Sequence, residues 1–319
     1  MSLHHADKVL ECAYSPSAAA TSRLAASWRR SAVTYGLDPR NKRAPERVMM
    51  TDVHHRRDAM GDFLELANPQ LDQLFRLVGM TGCCVLLTDA EGVVLEERYS
   101  GADSDIFDSW GLCSGAIWSE QAEGTNGIGT CLAEKRQLVI HRDQHFHSRN
   151  IAMSCMDAPI YGANGEVIAA VDVSSCRAAQ TEGYTRLISN AVAQTARQIE
   201  TEHFRAAYAG ARFIDVAGDR PDEALLLAVD HDDLVIGATR AARRYLGLTA
   251  ESFCNPRPAS DLLGLTSAAP RSETGLERAE RAALRRALAR SGGNASAAAR
   301  ELGIGRATFY RRMKRLGLD

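Results

Sequence analysis

Cationic and hydroxyl side chains dominate the C-terminal end of the sequence, in a segment whose apolar residues have helical spacing. Phe309, Met313 and Leu316 occur at i, i+4 and i+7, so they fall on one face of a predicted helix over 306–316. The remaining positions are the candidate DNA-binding residues Arg306, Thr308, Tyr310, Arg311, Arg312, Lys314 and Arg315. Guanidinium groups bind guanine edges and phosphates, and hydroxyl groups bind phosphate oxygens. A helix in the major groove of DNA is therefore favoured over a merely solvated cationic surface.

The charge distribution indicates the same kind of partner. The chain has 319 residues and a formal charge of −2, yet residues 275–319 contain eleven Lys and Arg against four Asp and Glu. This end carries +7 and the preceding sequence −9. Such asymmetry is typical of a small nucleic-acid module attached to an acidic body.

Two more helices precede the cationic helix. The first is predicted over Leu276–Ser291 and ends at Gly292-Gly293, and Asn294 is predicted to cap a second helix that ends at Leu302. Residues 303–305, with two glycines, form the turn before the third helix. The apolar positions of the first helix that have helical spacing are Leu276, Ala279, Ala283, Ala287 and Leu288.

Histidines and cysteines in the middle of the chain could bind zinc or iron. The candidates are His141, His145, His147, Cys131 and Cys155, but their spacing matches no recognised metal site. We therefore predict no metal and no cofactor, and keep a redox or metal sensor as an alternative. The eight cysteines include no CxxC pair and are expected to be reduced and mostly buried.

A glycine-rich stretch, Gly124–Gly129 (GTNGIG), could suggest a phosphate-binding loop. It does not match GxGxxG, and no strand leads directly into it. A structural loop is favoured, with Thr125 or Asn126 capping a helix that begins near Gly127.

The elements that must position these residues indicate an α+β fold. A helix is predicted over 18–35, and one or two helices over 56–78, broken at Pro69. Strand, turn and strand follow over 83–95, then a hairpin over 158–173 with Asn164-Gly165 in its turn, and a closing helix over 184–199. A shorter strand, turn, strand and helix pattern covers 224–246. No stretch is apolar enough to span a membrane and no secretory signal is visible, so the protein is predicted to be cytoplasmic.

The C-terminal pattern resembles a known family. The run GGNASAAARELGIGRATFYRRMKRLG, residues 292–317, is similar to the Fis-type helix-turn-helix of NtrC-type, sigma-54-dependent activators. Gly305 is a departure, because such modules often have a capping Ser there.

Upstream motifs resemble the sensory half of the acetoin-catabolism class of these activators. They are Ser27-Trp28-Arg29-Arg30, Gly36–Pro39, Glu123–Thr130, His145-Phe146, Ala158–Ile160 and Val171–Ser174. The resemblance implies a GAF domain, a six-stranded antiparallel sheet flanked by helices, and a short PAS-like connector over 225–248. We therefore expect an N-terminal helical segment (1–78), a GAF-like domain (79–205), a PAS-like connector (206–254), a linker (255–274) and an all-α DNA-binding domain (275–319).

A GAF-like domain is expected to enclose a pocket for a small effector between its sheet and helices. The effector-binding candidates are Trp110, Trp118, Asn126, His145, Phe146, Cys155 and Asp172, each of which could equally be a core residue. A second alternative is a cysteine-dependent reductase using thiolates among Cys83, Cys84, Cys113 and Cys131.

The family's ATPase is absent from this sequence. Its GxxxxGK[ST] motif needs a lysine after glycine, and none of the four lysines, Lys8, Lys42, Lys135 and Lys314, follows one. The sequence thus predicts a homodimeric, effector-controlled DNA-binding regulator that is not an enzyme and does not remodel sigma-54 polymerase. Contact with RNA polymerase, promoter occlusion and competition with a full-length relative remain open routes.

Overall fold

The computed structural model describes residues 2–175, 182–216, 224–254, 256–264 and 274–318. The chain forms two compact units, Met1–Ala259 and Ser260–Asp319. Cys176 and half of the predicted linker, residues 255 and 265–273, lie outside the described residues.

A five-stranded antiparallel sheet forms the centre of the first unit. Its strands are β1 (Cys83–Asp89), β2 (Val94–Arg98), β3 (Leu138–His141), β4 (Ser154–Tyr161) and β5 (Val167–Ser175). Their order is β2-β1-β5-β4-β3, and every neighbouring pair is antiparallel. The predicted strand pair and hairpin are confirmed, and Gly165 supplies the positive φ of +87° that the β4–β5 turn requires.

The resemblance implied six strands, whereas the described residues form five. At the β2 edge, Gly115 and Trp118 donate backbone hydrogen bonds to Val94 and Gly92, and Val93 and Ile117 form an isolated bridge. This segment covers the edge of the sheet but is too short to form a regular ladder.

Helices cover the sheet on both faces. In chain order they are α1 (Ser2–Tyr14), α2 (Ala18–Thr21), α3 (Arg23–Arg29), α4 (Met50–Ala59), α5 (Gly61–Val78), α6 (Ser104–Trp110), α7 (Glu120–Glu123), α8 (Gly127–Glu134) and α9 (Glu182–Ala207). A π-helical turn spans Arg30–Thr34, and 3₁₀ turns span Gly79–Thr81, Gly101–Asp103, Arg142–Gln144 and Ser148–Asn150. No helix among the described residues is long and apolar enough to cross a bilayer.

Two of the predicted helix boundaries were wrong. The expected helix over 18–35 is interrupted at Ser22, whose extended backbone and hydroxyl oxygen cap α3. The expected break at Pro69 does not occur, because α5 continues through it. Leucines on both sides of Pro69, such as Leu64 and Leu71, are buried in one core, so tertiary packing offsets the missing backbone hydrogen bond.

The two faces of the sheet differ in chemistry. The face under α5 and α9 is apolar and includes Leu87, Met156, Ile160 and Val171. The opposite face contacts α6 and α8 and includes polar side chains of β4 and β5 beside Trp118. Side chains alternate between the two faces along a strand. One strand register therefore places the apolar side chains against α5 and α9 and the polar ones against α6 and α8.

A smaller sheet follows in the same unit. Its strands are β6 (Arg212–Asp215), β7 (Leu226–Val229) and β8 (Val235–Ala238), with α10 (Arg240–Leu246), α11 (Glu251–Cys254) and α12 (Ala259–Leu262) after them. Strand β6 was not predicted. Arg243 of α10 donates a hydrogen bond of 3.2 Å to the carbonyl oxygen of Ala163, so α10 contacts the β4–β5 turn.

After the last residues of α12, the described part of the second unit forms three helices, α13 (Gly275–Arg290), α14 (Ala295–Glu301) and α15 (Arg306–Arg315). The Asn294 side chain accepts hydrogen bonds from the backbone N–H groups of Ser296 and Ala297, as the sequence predicted. Their core consists of Leu284, Ala287, Ala298, Ala299, Phe309 and Leu316, with Met313 against it.

The predicted apolar stripe of α13 was partly wrong. Leu276 is 79% exposed and Ala279 is also exposed, whereas Leu284 is buried. The apolar contacts of α13 with the other two helices come from Leu284, Ala287 and Leu288, so its first two turns carry no buried apolar side chain.

A buried carboxylate joins the N-terminal helices to the sheet domain. Glu120 of α7 is 3% exposed and accepts two hydrogen bonds from Arg30, of 2.8 and 2.9 Å. The hydroxyl groups of Ser27 and Thr130 also donate to it. Thr125 hydrogen bonds with Ser27, so the loop before α8 belongs to the same network.

Replacing Arg30 with Ala should lower the free energy of unfolding by about 2 kcal/mol, since it leaves the buried Glu120 carboxylate without its charge partner. Urea denaturation measures this change. Arg29→Ala is the matched control, because Arg29 is the exposed residue before Arg30 and forms no ion pair in the described part of the chain. An equal decrease in the free energy of unfolding for both variants would contradict a stabilising role of the Arg30–Glu120 ion pair.

Candidate functional site

Two carboxyl groups lie opposite each other inside the first unit. Asp157 of β4 and Asp172 of β5 are directly paired in the antiparallel register, and both side chains are 0% exposed. Neither oxygen of Asp157 has a hydrogen-bond partner outside the pair, nor does Oδ2 of Asp172. Since like charges directly opposite each other destabilise a sheet, such a pair requires a specific explanation.

The surroundings of the pair offer little compensation. Ser174 donates a hydrogen bond of 3.1 Å to Oδ1 of Asp172 and lies 3.1 Å from Sγ of Cys155. Gly127, the first residue of α8, approaches so closely that a Cβ there would collide with Oδ2 of Asp157. The glycine is thus required where the helix meets the carboxyl group.

Burial raises the pKa of both carboxyl groups. For Asp172, burial outweighs the Ser174 hydrogen bond and raises the pKa to about 7. For Asp157, burial and the adjacent Asp172 charge raise the pKa well above its usual range. At neutral pH the pair therefore retains at least one proton, and it can both donate and accept hydrogen bonds.

The predicted effector residues lie in the same interior, but most have local partners. The Asn126 amide caps α8, since its oxygen accepts from Gly129 at 2.8 Å and its nitrogen donates to the Gly124 carbonyl at 2.9 Å. This confirms the structural loop. Trp118 is buried and donates to the Gly111 carbonyl at 2.8 Å.

The remaining candidates divide between two regions. Trp110 packs on the cluster that contains Trp118 and Cys155. Phe146 instead packs against the N-terminal helices, with Val9 and Trp28 among its neighbours. Of the seven candidates, Asp172 and Cys155 lie at the carboxyl pair.

His145 is buried between two partners. Its Nδ1 lies 2.9 Å from the carbonyl oxygen of Arg142, and its Nε2 lies 3.3 Å from Sγ of Cys155. Burial lowers the pKa of His145 to about 4, so its imidazole is neutral at pH 7. It therefore supplies no positive charge near the carboxyl pair.

The candidate metal ligands do not converge. His141 hydrogen bonds with Ser154 at 2.7 Å, and the His147 ring packs on Phe146. Within the described ranges, the one group of three ligand atoms close enough to share an ion is Asp230, His231 and Asp232, in the turn after β7. That turn is largely exposed, and clusters of this kind are common without an ion.

Four of the buried thiols do not have the properties of redox-active groups. Burial raises the pKa of Cys84, Cys131 and Cys155 well above the usual range, and that of Cys113 to about 11. A thiolate is the reactive form, so these buried thiols are poor nucleophiles at neutral pH.

The cations of α15 separate into two groups. Arg312 and Arg315 form ion pairs with Glu280 of α13, at 3.2 Å for Arg312. Arg311 and Lys314 are exposed and have no ion pair in the described part of the chain. The predicted cationic face therefore exists, but two of its arginines also hold α15 against α13.

The hydroxyl-bearing residues of α15 extend this face. Tyr310 is 48% exposed, and the Arg306 guanidinium lies 5.7 Å from its ring centroid. Thr308 is half-buried at the start of the helix. Arg306, Tyr310, Arg311 and Lys314 thus offer donors to a duplex without first breaking an ion pair.

Family models match both units. The GAF domain model covers residues 62–202, from α5 to α9, and the model of the bacterial regulatory protein, Fis family, covers residues 275–316. The chain joins a GAF domain to a Fis-type helix-turn-helix. The carboxyl pair lies in the GAF domain, and the cationic face lies on the third helix of the Fis-type module.

Curated transcription regulators are similar to this chain over part of their length. The acetoin catabolism regulatory protein of Cupriavidus necator is 30% identical over 247 residues, which cover 75% of this chain and 36% of that protein. The acetoin dehydrogenase operon transcriptional activator AcoR of Bacillus subtilis is 28% identical over 178 residues, covering 55% and 29% respectively. The chain thus spans about a third of the length of these relatives.

A solved structure supports the fold of the GAF unit. The DhaR(N)–DhaL complex of E. coli contains a chain that matches with a TM-score of 0.51 and 14% identity, over 75% of this chain and 81% of that one. At this identity the match supports the α+β architecture alone.

Asp157 is the site residue that sequence reasoning missed. Asp172 was selected within a motif, but its partner could be found only from the β4–β5 register. One available clue was the presence of an Asp in each of two otherwise apolar hairpin strands.

Asp172→Asn should change how stability depends on pH. A carboxyl group whose pKa is raised on folding loses stabilising free energy as pH rises from its ordinary value near 4 to about 7. The variant lacks this titration. Its free energy of unfolding, relative to that of the wild type, should therefore increase by on the order of 2 kcal/mol between pH 5 and pH 8. Urea denaturation at both pH values measures it.

The exposed Asp58→Asn is the control and should follow the wild-type profile. If Asp172→Asn also followed that profile, the carboxyl pair would not be titrating as described.

Proposed function

We propose that this protein is a cytoplasmic transcription regulator that binds double-stranded DNA as a homodimer and is controlled by a small effector. The observation that carries the proposal is the exposed cationic face of α15 on a module that matches the Fis family. One such module presents a short helix to the groove, so useful specificity favours two half-sites. The uncovered Leu276 and Ala279 of α13 support pairing with a second copy.

The GAF domain is the proposed sensor, with Asp157 and Asp172 as the centre of effector recognition. Beyond the hydrogen bond between the two carboxyl groups and the one from Ser174, these buried oxygens have no donor among the described residues, so they are suited to a neutral ligand whose hydroxyl groups donate further hydrogen bonds. A small organic anion would be repelled. The relatives named for acetoin regulation support acetoin, a hydroxy-ketone, as the first ligand to test.

Burial of the pair provides the means of signalling. Both carboxyl groups are fully buried, so a ligand reaches them only when the covering elements open. Helix α8 begins against Asp157, and its N-terminal loop is bound to α3 through Thr125 and Ser27. Opening at the pair would therefore shift the N-terminal helices, and the effector would select between two conformations.

Regulation without ATP-dependent sigma-54 activation is part of the proposal. Residues 203–274, between the two family matches, contain no lysine at all, so they hold no phosphate-binding loop. The high pKa values of the buried thiols support a non-enzymatic role. The bound dimer would act by contact with RNA polymerase, by occlusion of a promoter, or by competition with a full-length relative for its sites.

Arg311→Ala should weaken binding to a duplex by about tenfold and reduce the salt dependence by about one counterion, without changing stability. Arg312→Ala should lower the stability of the module as well, because it also removes the ion pair with Glu280. Fluorescence anisotropy and thermal unfolding measure the two effects. Uniform loss across sequences would identify a phosphate contact, and loss at one base pair would identify direct readout.

Arg29→Ala, an exposed arginine of the other unit, controls for net charge. The DNA-binding proposal would be overturned if the wild-type protein did not bind any duplex at low ionic strength.

Acetoin should bind the wild-type protein, and 2-butanone, which lacks the hydroxyl donor, should bind about tenfold more weakly. Asp157→Asn should lose this discrimination. Isothermal titration calorimetry measures the affinity for acetoin with and without a bound duplex. The ratio of these affinities should equal the ratio of the affinities for the duplex with and without acetoin.

Equal affinity for acetoin and 2-butanone would exclude hydroxyl recognition by the carboxyl pair. An affinity ratio of one would exclude control of DNA binding by this ligand.

A further inference from the structure

A cavity that does not include the carboxyl pair lies beside the end of β4. Its volume is about 320 Å³, and it is bounded by α9, the end of β4, the residues after α8, and α10 of the small sheet. Both walls belong to the first compact unit. Neither the carboxyl pair nor any of the seven effector candidates lines it.

The charged residues around this cavity are mostly cations. They are Lys135, Arg136, Arg197, Arg240 and Arg244, with Glu200 as the carboxylate among the lining residues. Glu200 accepts a hydrogen bond of 2.9 Å from the backbone N–H of Tyr161, so one of its carboxylate oxygens is bound to the sheet. Arg136 pairs with Glu134 at 2.6 Å.

Three of these cations, Arg240 included, have no ion-pair partner among the described residues. Lys135 and Arg197 form no ion pair within the described ranges, and they reach the cavity from different elements, the end of α8 and the middle of α9. Concave surfaces lined by one sign of charge focus the field and concentrate ligands of opposite charge. A solvated surface cation is common, but a cluster of them around one cavity favours an anion.

The walls are apolar and aromatic. Arg240 lies over the Tyr161 ring at 3.9 Å from its centroid, which fixes one guanidinium at the rim. Phe204, Pro159 and Ala196 line the same cavity. A planar guanidinium binds carboxylate or phosphate oxygens in pairs, and the neighbouring apolar surface can contact a hydrocarbon part.

We propose that this cavity binds a small organic anion, with its carboxylate or phosphate held by Arg197, Arg240 and Lys135 and its apolar part against Tyr161 and Phe204. The site is distinct from the carboxyl pair, which would repel such a ligand. It does not depend on whether the chain binds DNA.

The ligand would connect two parts of the unit. Lys135 and Arg197 belong to the GAF domain, whereas Arg240 belongs to α10 of the small sheet. A bound anion neutralises cations on both walls and so stabilises their association by mass action. The cavity is therefore placed to make the position of α10 depend on an anionic metabolite.

The test uses benzoate and phenyl phosphate as probes, with benzamide as the neutral analogue and inorganic phosphate as the anion without an apolar part. Titration calorimetry on the full chain should show saturable binding of at least one of the two organic anions at millimolar concentration. Benzamide and inorganic phosphate should each bind at least tenfold more weakly than that anion. Preference for benzoate or for phenyl phosphate identifies the acidic group.

The double variant Arg197→Gln/Arg240→Gln should weaken binding of the preferred anion at least tenfold. Arg205→Gln, on the same helix but outside the cavity, should bind as the wild type does. If the double variant is unfolded by circular dichroism, Lys135→Gln replaces it, with at least a threefold loss expected. Hydrogen exchange over Arg240–Leu246 should slow when the anion binds.

Binding of neither organic anion would overturn the proposal, as would equal binding of benzamide or an unchanged affinity in the folded cavity variant. Equal binding of inorganic phosphate would overturn the apolar part of the site. None of these outcomes bears on acetoin binding or DNA binding, so failure here is distinguishable from failure of the proposed function.

Discussion

The arrangement of the GAF domain depends on the hydrogen bonds that the buried Glu120 carboxylate accepts. This carboxylate is bound by Arg30 from the N-terminal helices and by Thr130 from α8, and Thr125 joins through Ser27. A buried carboxylate without these partners would be strongly destabilising, so the elements that satisfy it must be placed together. The motif that resembled a phosphate-binding loop is thereby explained as a junction between helices.

This junction also determines what lies against the sheet. Because the loop before α8 is fixed, Gly127 is held against Asp157, on the polar face of the β4–β5 hairpin. That face keeps two carboxyl groups that the apolar face could not tolerate. Burying these two carboxyl groups costs stability. Such a cost in a native interior favours a functional site, because buried polar groups with few partners require a ligand or a role to account for them.

Sequence reasoning predicted the elements better than their contacts. The strands other than β3 and β6, the β4–β5 turn, the Asn126 and Asn294 caps and the three C-terminal helices follow from local patterns, and the structure confirms them. Pro69 did not break α5, because long-range packing outweighed a local preference. The pairing of Asp157 with Asp172 depends on strand register, which no local pattern determines. The effector list therefore included Asp172 without its partner.

The same limit applies to the DNA-binding face, where helical periodicity identifies an outward position but not its partner. Arg311 and Arg312 are adjacent and equally cationic in sequence, yet only Arg312 meets Glu280 across the helix crossing. Glu280 reduces the positive charge at the C-terminal end of α15 and holds that helix in place. Arg312 and Arg315 thus orient α15 against α13. Arg311 and Lys314 remain exposed and are available to bind a duplex. This division is possible because a half-exposed ion pair contributes little stability alone but constrains geometry when two arginines share one carboxylate.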